Sequence, residues 1–183
     1  MSRIPAPAEN PAELAKWHPP DFPHDPLLLF RVLQVHPELA SRMRVLGSGL
    51  LAHGRLPDRD REIVIDRVTA RNGARYEWGV HAAHYGPQVG LSAEQLVDTV
   101  EPRPSAEAWS EAELTLLAAV DQLDTTASLD DAMWARLRDR YSEPQLVELI
   151  VLVGWYRTIS YLCNALDLEP ESWGAPWPAC SGD

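Results

Sequence analysis

Cysteine is scarce in this 183-residue chain, with Cys163 and Cys180 as the only two and neither part of a C-x-x-C. They are too few and too late in the chain to frame a disulfide scaffold. Positive charge is in deficit as well: 16 Lys and Arg face 27 Asp and Glu, for a formal net charge of -11. Such a surface repels nucleic-acid phosphates and anionic membranes, and no basic stripe with interleaved aromatics offsets it, so no nucleic-acid partner and no membrane partner is expected. No charge-free apolar run reaches the ~18 residues that a bilayer span needs. The nearest, residues 146–166, is interrupted by Glu148 and Arg157. The opening MSRIPAPAENPAEL lacks the apolar core of a secretion signal, and the expected location is cytoplasmic. Strand-type alternation of polar and apolar residues is missing too, which leaves an all-α class.

What is present is a folding composition, 45% apolar and 23% charged. Proline is concentrated at the two ends. Residues 1–26 carry Pro5, Pro7, Pro11, Pro19, Pro20, Pro23 and Pro26, which oppose helix and central strand alike. This stretch reads as an extended arm with Trp17 and Phe22 as anchors. Residues 169–183 form a tail of the same kind, with Trp173 and Trp177 among Pro170, Pro176 and Pro178. Residues 27–168 are the helical domain between them.

Within that domain, helices are expected over Leu27 to Gln34, Leu39 to His53 and Asp130 to Tyr141. Ser92 with Gln95, Ser110 with Glu113 and Ser142 with Gln145 are capping boxes, in which a serine and a side chain three residues on satisfy the free amides of a first turn. The third opens a helix from Glu143 to about Leu166 that is apolar on nearly every side and is expected to be central to the fold. Between the first and second groups lies LPDRDREIVIDRVTARNGARYEWGVHAAHYG. It reads as a hairpin: a helix from Pro57 to Arg71, a reversal at Asn72-Gly73, and a helix from Ala74 that Gly86 and Pro87 should end or kink just past His84.

The hairpin brings chemistry together. Glu62 lies ten residues before Asn72 and His81 eight after Gly73, so at 1.5 Å per residue the two stand within about 3 Å of the same level. Glu77, His81 and His84 occupy i, i+4 and i+7 of the second helix, one face, with Trp78 beside it. A carboxylate next to an imidazole suits proton transfer. The same four groups, Glu62, Glu77, His81 and His84, are also a conceivable metal-ligand set, and a bland pair on a helix surface, contributing about 0.2–0.5 kcal/mol, is the other reading of Glu77 with His81.

The segment from REIVI through NGARYEWGVH to GLSAEQL resembles the carboxymuconolactone decarboxylase family, which includes the alkyl hydroperoxidase D type. The likeness spans roughly residues 40 to 168, and VGWYRTISYLCNAL looks like that family's final helix. It implies an all-helical subunit in a homotrimer or homohexamer. The peroxidase branch carries a glutamate, a C-x-x-C and a histidine; these fall on Glu62, on Ala74 and Glu77, and on His81, so both thiols are gone. The decarboxylase-like branch has E-W-x-x-H, which Glu77-Trp78-Gly79-Val80-His81 matches. The resemblance therefore implies Glu62, His81 and Glu77 as catalytic groups for decarboxylation or isomerisation of a small organic acid or lactone, with no metal or cofactor. Trp78, Tyr76, His84, Arg157, Tyr156 and Asn164 are the expected substrate-binding residues. Arg157 is a candidate cation for a substrate carboxylate, with Arg67, Arg71 and Arg75 as competitors. A ligand-binding protein without turnover, and a residual thiol peroxidase, are the other functions this scaffold could serve.

Overall fold

The computed structural model describes residues 2–7, 14–18 and 22–179; Pro11, Pro19, Pro20 and Cys180 lie outside the described residues. Eight α-helices follow a 3₁₀ turn at Ala15–Trp17: α1 Leu28–Leu33, α2 Pro37–Ala52, α3 Asp58–Arg71, α4 Arg75–Gln88, α5 Ala93–Asp98, α6 Glu111–Thr126, α7 Asp131–Arg138 and α8 Glu143–Ala165. The described residues contain no strand, and the class is all-α. All three capping boxes form. Ser92 and Gln95 exchange bonds of 3.1 Å each, Ser110 and Glu113 bonds of 2.9 and 3.3 Å, and Gln145 accepts from the Ser142 amide at 3.0 Å.

The hairpin of α3 and α4 turns where Gly73 adopts φ +59, a left-handed conformation that costs a residue with a side chain about 1–2 kcal/mol. The Ala74 amide closes the turn on the Thr69 carbonyl at 2.9 Å. Beyond the turn, α4 runs through Pro87 to Gln88 instead of ending at Gly86. Proline falls in the last turn, where the Val89 amide closes the helix on the carbonyls of Tyr85 and Gly86.

The centre of the fold is α3, a correction to the expectation that the final helix would hold that place. From Asp60 to Thr69 every residue of α3 but Arg61 is buried, and Asp60, Glu62 and Arg67 among them are matched by side chains from elsewhere in the fold. Asp60 receives both its oxygens' bonds from Arg140 and a third from the Tyr141 hydroxyl at 2.7 Å. Arg67, with no exposure, forks onto Asp121 at 2.7 Å twice and donates to the Thr99 and Glu101 carbonyls. This is the bidentate geometry in which a buried guanidinium is tolerated. The final helix, α8, is long and apolar enough to cross a membrane by length and composition alone. Here its inner face, including Leu146, Leu149, Leu152 and Tyr156, builds the core, while Val147, Ile150, Val151 and Tyr161 are exposed.

Described parts of the N-terminal arm and of the tail pack onto the hairpin. Phe22 is buried against the edge of His84, and His24 stacks on Trp173 at 4.0 Å and 5°. The tail crosses α4 at Gly79, whose carbonyl accepts from the Ala175 amide at 2.8 Å. A Cβ on Gly79 would stand 2.8 Å from the Ala175 carbonyl oxygen, so glycine is what lets the tail lie down there.

Candidate active site

Helices α3, α4 and α8 converge on His81, which is 2% exposed. Its Nδ1 lies 2.7 Å from Glu62 Oε2, and its Nε2 lies 3.2 Å from the Tyr156 hydroxyl and 3.6 Å from Glu77 Oε1. Glu62, with no exposure, receives Arg61 Nε on its other oxygen at 3.3 Å. Burial by itself would push the imidazole's pKa down. The Glu62 carboxylate, through charge and hydrogen bond, and Glu77 more weakly, outweigh burial and hold it up at about 10. At neutral pH the ring is therefore an imidazolium. It donates Nδ1–H to Glu62 and presents Nε2–H to Tyr156 and Glu77.

Glu77 supplies the second feature. It is 6% exposed, and its Oε2 has no hydrogen-bond partner. A buried oxygen without a donor is unfavourable, and a donor brought by a ligand would satisfy it. Two tyrosines complete the ring of groups. Burial, and then the nearby Glu77 and Glu62, push the Tyr156 hydroxyl well above its ordinary pKa; burial, with Glu62 and Glu77, moves Tyr85 up to about 12. Both stay protonated and can donate.

These groups open onto a cavity of about 480 Å³, within the roughly 300–1,000 Å³ typical of small-molecule sites. Glu77, His81, Tyr85, Tyr156 and Arg61 line its polar part, and Arg44 is its other arginine. The rest is largely apolar and comes from α1, α2, α8 and the N-terminal arm. Of the residues expected around a substrate, Tyr156 lines this cavity and five others stand elsewhere. Trp78 is buried in the core, donating its indole N–H to Thr99 Oγ1 at 3.0 Å. Tyr76 is tied by its hydroxyl to Glu171 and the Leu29 amide. His84 meets Phe22 and Tyr85 ring to ring, and burial with neighbouring His24 lowers its pKa. Arg157 donates to Tyr161 and the Asp124 carbonyl, and Asn164 donates to the Asn72 carbonyl at 2.8 Å, where it holds the hairpin turn. The competing cations are engaged too: Arg67 as above, Arg71 near Asp121 and Asp124, Arg75 over Trp177.

Periodicity identified the face of α4 but not what packs against it. Arg61 and Arg44 were missed because nothing local distinguishes them from surface arginines. Asp66 was missed as well. It sits one turn after Glu62 on α3, has no exposure, and both its oxygens lack partners. Burial, then the Glu62 charge, raise its pKa well above the ordinary carboxyl value, and His81 opposes them only in part. The four-residue metal set does not assemble, since among the described residues no three His, Cys, Asp or Glu groups are arranged to hold an ion. Cys163 is buried away from the cavity lining, and burial, with Glu77 nearby, pushes its thiol's pKa up. A thiolate there is disfavoured.

Comparison with known proteins gives the same fold. Residues 37–122 match the model of the Carboxymuconolactone decarboxylase family. An uncharacterized peroxidase-related protein from Silicibacter sp. TM1040 superposes with a TM-score of 0.79 at 14% identity, over 92% of this chain and 90% of that one. ATU0492 of Agrobacterium tumefaciens, of unknown function and a candidate AhpD antioxidant defence protein, gives 0.66 at 20% identity, over 76% and 94%. The debrominase Bmp8, in its C82A form with 2,3,4-tribromopyrrole, gives 0.64 at 18% identity, over 79% and 77%. At these identities the likeness is one of fold. No curated protein sequence matches. The chain thus has the alkyl hydroperoxidase D-like helical fold, and its residues 37–122 are similar to the Carboxymuconolactone decarboxylase family.

Proposed function

We propose that the protein is a cofactor-free acid/base enzyme that decarboxylates or isomerises a small organic acid or lactone in this cavity. The observation that carries the reading is the meeting of an imidazole fixed by Glu62 and the Glu77 carboxyl, one of whose oxygens has no partner, in the lining of one cavity. In an isomerisation Glu77 takes a proton from carbon, and the C–H electron pair moves into the substrate's conjugated carbonyl. The His81 imidazolium and the Tyr156 hydroxyl stabilise the resulting enolate, and the proton is returned at another carbon. In a decarboxylation the C–CO₂ electron pair enters the same conjugated system, and protonation at carbon follows. The family description supports this reading, as do Ala74 and Glu77 at the positions where the peroxidase branch has cysteines. The exposed apolar stripe of Val147, Ile150, Val151 and Tyr161 supports a homotrimer or homohexamer, which sedimentation of the full chain tests. A monomer at micromolar concentration would remove that part of the proposal.

The test of function is a panel of unsaturated acids and carboxylated lactones followed by proton NMR in D₂O. Loss of carbon dioxide or uptake of deuterium at carbon, abolished in Glu77→Gln and kept in Cys163→Ala, is the expected result. Peroxide reduction that disappears in Cys163→Ala would replace this reading with thiol chemistry. Binding without any exchange or turnover would make the protein a ligand-binding member of the fold.

A further inference from the structure

The cavity is strongly asymmetric in its chemistry. On α2 it is lined by Met43, Arg44, Gly47, Ser48 and Leu51, positions that share one helical face. Across from them stand Trp17, Phe30 and Leu33 from the arm and α1, and Trp155 and Ile159 from α8. Gly47 lets this wall close: a Cβ there would come within 3.3 Å of the Trp155 ring. The Ser48 hydroxyl is turned to its own helix, donating to the Val45 carbonyl. The cations at the wall differ in their commitments. Arg61 is engaged by Asp58 at 2.7 Å and Glu62 at 3.3 Å, and Lys16 has an interaction of its own. Arg44, half-buried, forms no hydrogen bond or ion pair with the described residues.

A half-buried guanidinium beside a hydrocarbon wall, in a chain of net charge -11, is placed to receive an anion that carries its own hydrocarbon body. We infer that the cavity binds an amphiphilic monocarboxylate, with the carboxylate forked on Arg44 and the hydrocarbon body along Phe30, Leu33, Met43 and Ile159, reaching the Glu77 and His81 end. As a statement about the substrate this rests on the acid/base reading; as a statement about binding it stands by itself. Polar di- and triacids fit poorly, because most of the wall offers them no partner and burial of a second charge there is unfavourable.

The test is titration calorimetry of the full chain with hexanoate, octanoate and decanoate, and with the matching 1-alkanols. Carboxylates are expected to tighten about fourfold per methylene, the value for burying one CH₂. The alkanols should bind at least tenfold more weakly. Arg44→Met should weaken the carboxylates tenfold or more and leave the alkanols unchanged, and Arg44→Lys should restore part of the loss. Alkanols that bind as well as carboxylates, affinities that ignore chain length, or an Arg44→Met protein that binds carboxylates normally would each overturn the inference. The expected binding pattern in a protein without turnover would leave the inference in place and sink the acid/base reading alone.

Discussion

Glu62 Oε2 and His81 Nδ1, both on buried side chains, lie 2.7 Å apart and join the two helices of the central hairpin. A carboxylate and an imidazole desolvated together stay charged only as a pair. Removing one leaves the other buried and uncompensated, a cost of about 3–5 kcal/mol. The rest of the site depends on this pair, because it orients the ring so that Nε2, not Nδ1, meets Tyr156 and Glu77.

The first consequence is a pH dependence of stability. The folded-state pKa of His81 is raised to about 10, against ~6.5 in an unfolded chain. The stabilisation is therefore fully present below ~6.5 and is lost as pH rises toward about 10. Thermal unfolding of the wild type and of His81→Gln should show a Tm gap that narrows between pH 7 and pH 10. A gap of constant size would contradict the imidazolium assignment.

Asp66 works in the same sense but from a lower pH. Its folded pKa is raised, so the folded state holds a proton that the unfolded carboxyl releases above ~3.9. Stability then falls as pH rises through that range. Asp66→Asn keeps the shape and removes the titration. It should unfold close to the wild-type temperature at pH 4 and above it at pH 7 to 8. An equal difference at both pH values would mean that Asp66 is not a buried neutral acid.

How much of this was legible in the sequence depends on the range of the interaction. The level meeting of Glu62 and His81 follows from counting residues back from Asn72-Gly73, because a tight turn and a constant helical rise convert sequence distance into space. The capping boxes are likewise local, three residues wide. Trp78, Arg157 and Asn164 are held by distant partners: what each faces is decided by Thr99, Asp124 and Asn72, between 21 and 92 residues away. Arg44 and Asp66 matter through the absence of partners, and an absence becomes visible only when the surrounding elements are in place. The final helix looked central because hydropathy counts apolar residues. Enclosure depends instead on how many neighbours surround a helix, and α3 tolerates enclosure because Asp60 is paired with Arg140 and Tyr141, and Arg67 with Asp121.

Gly79 tests the seat of the tail. Alanine there would set its Cβ 2.8 Å from a backbone oxygen that cannot swing away. The tail must shift, and overpacking of this kind costs about 1–3 kcal/mol. Gly79→Ala should lower Tm and expose Trp177, which now meets the edge of Trp78, with a red-shifted tryptophan emission and faster proteolysis after Leu168. An unchanged Tm and digestion pattern would show that the Ala175 contact with Gly79 is not held in solution.

In the proposed function Glu62 and His81 act as one acid/base unit that serves Glu77 and the cavity. The measurement that reaches it most directly is a double-mutant cycle with Glu62→Gln and His81→Gln, read as the rate of proton exchange or turnover on the best acid or lactone of the panel, with circular dichroism as the control for folding. Each single substitution should lower the rate by about 10²–10⁴, the usual weight of a general acid or base. The double variant should lose little more than either single one, because groups that act together are not additive. Losses that simply multiply, or a His81→Gln protein of full activity, would contradict the account.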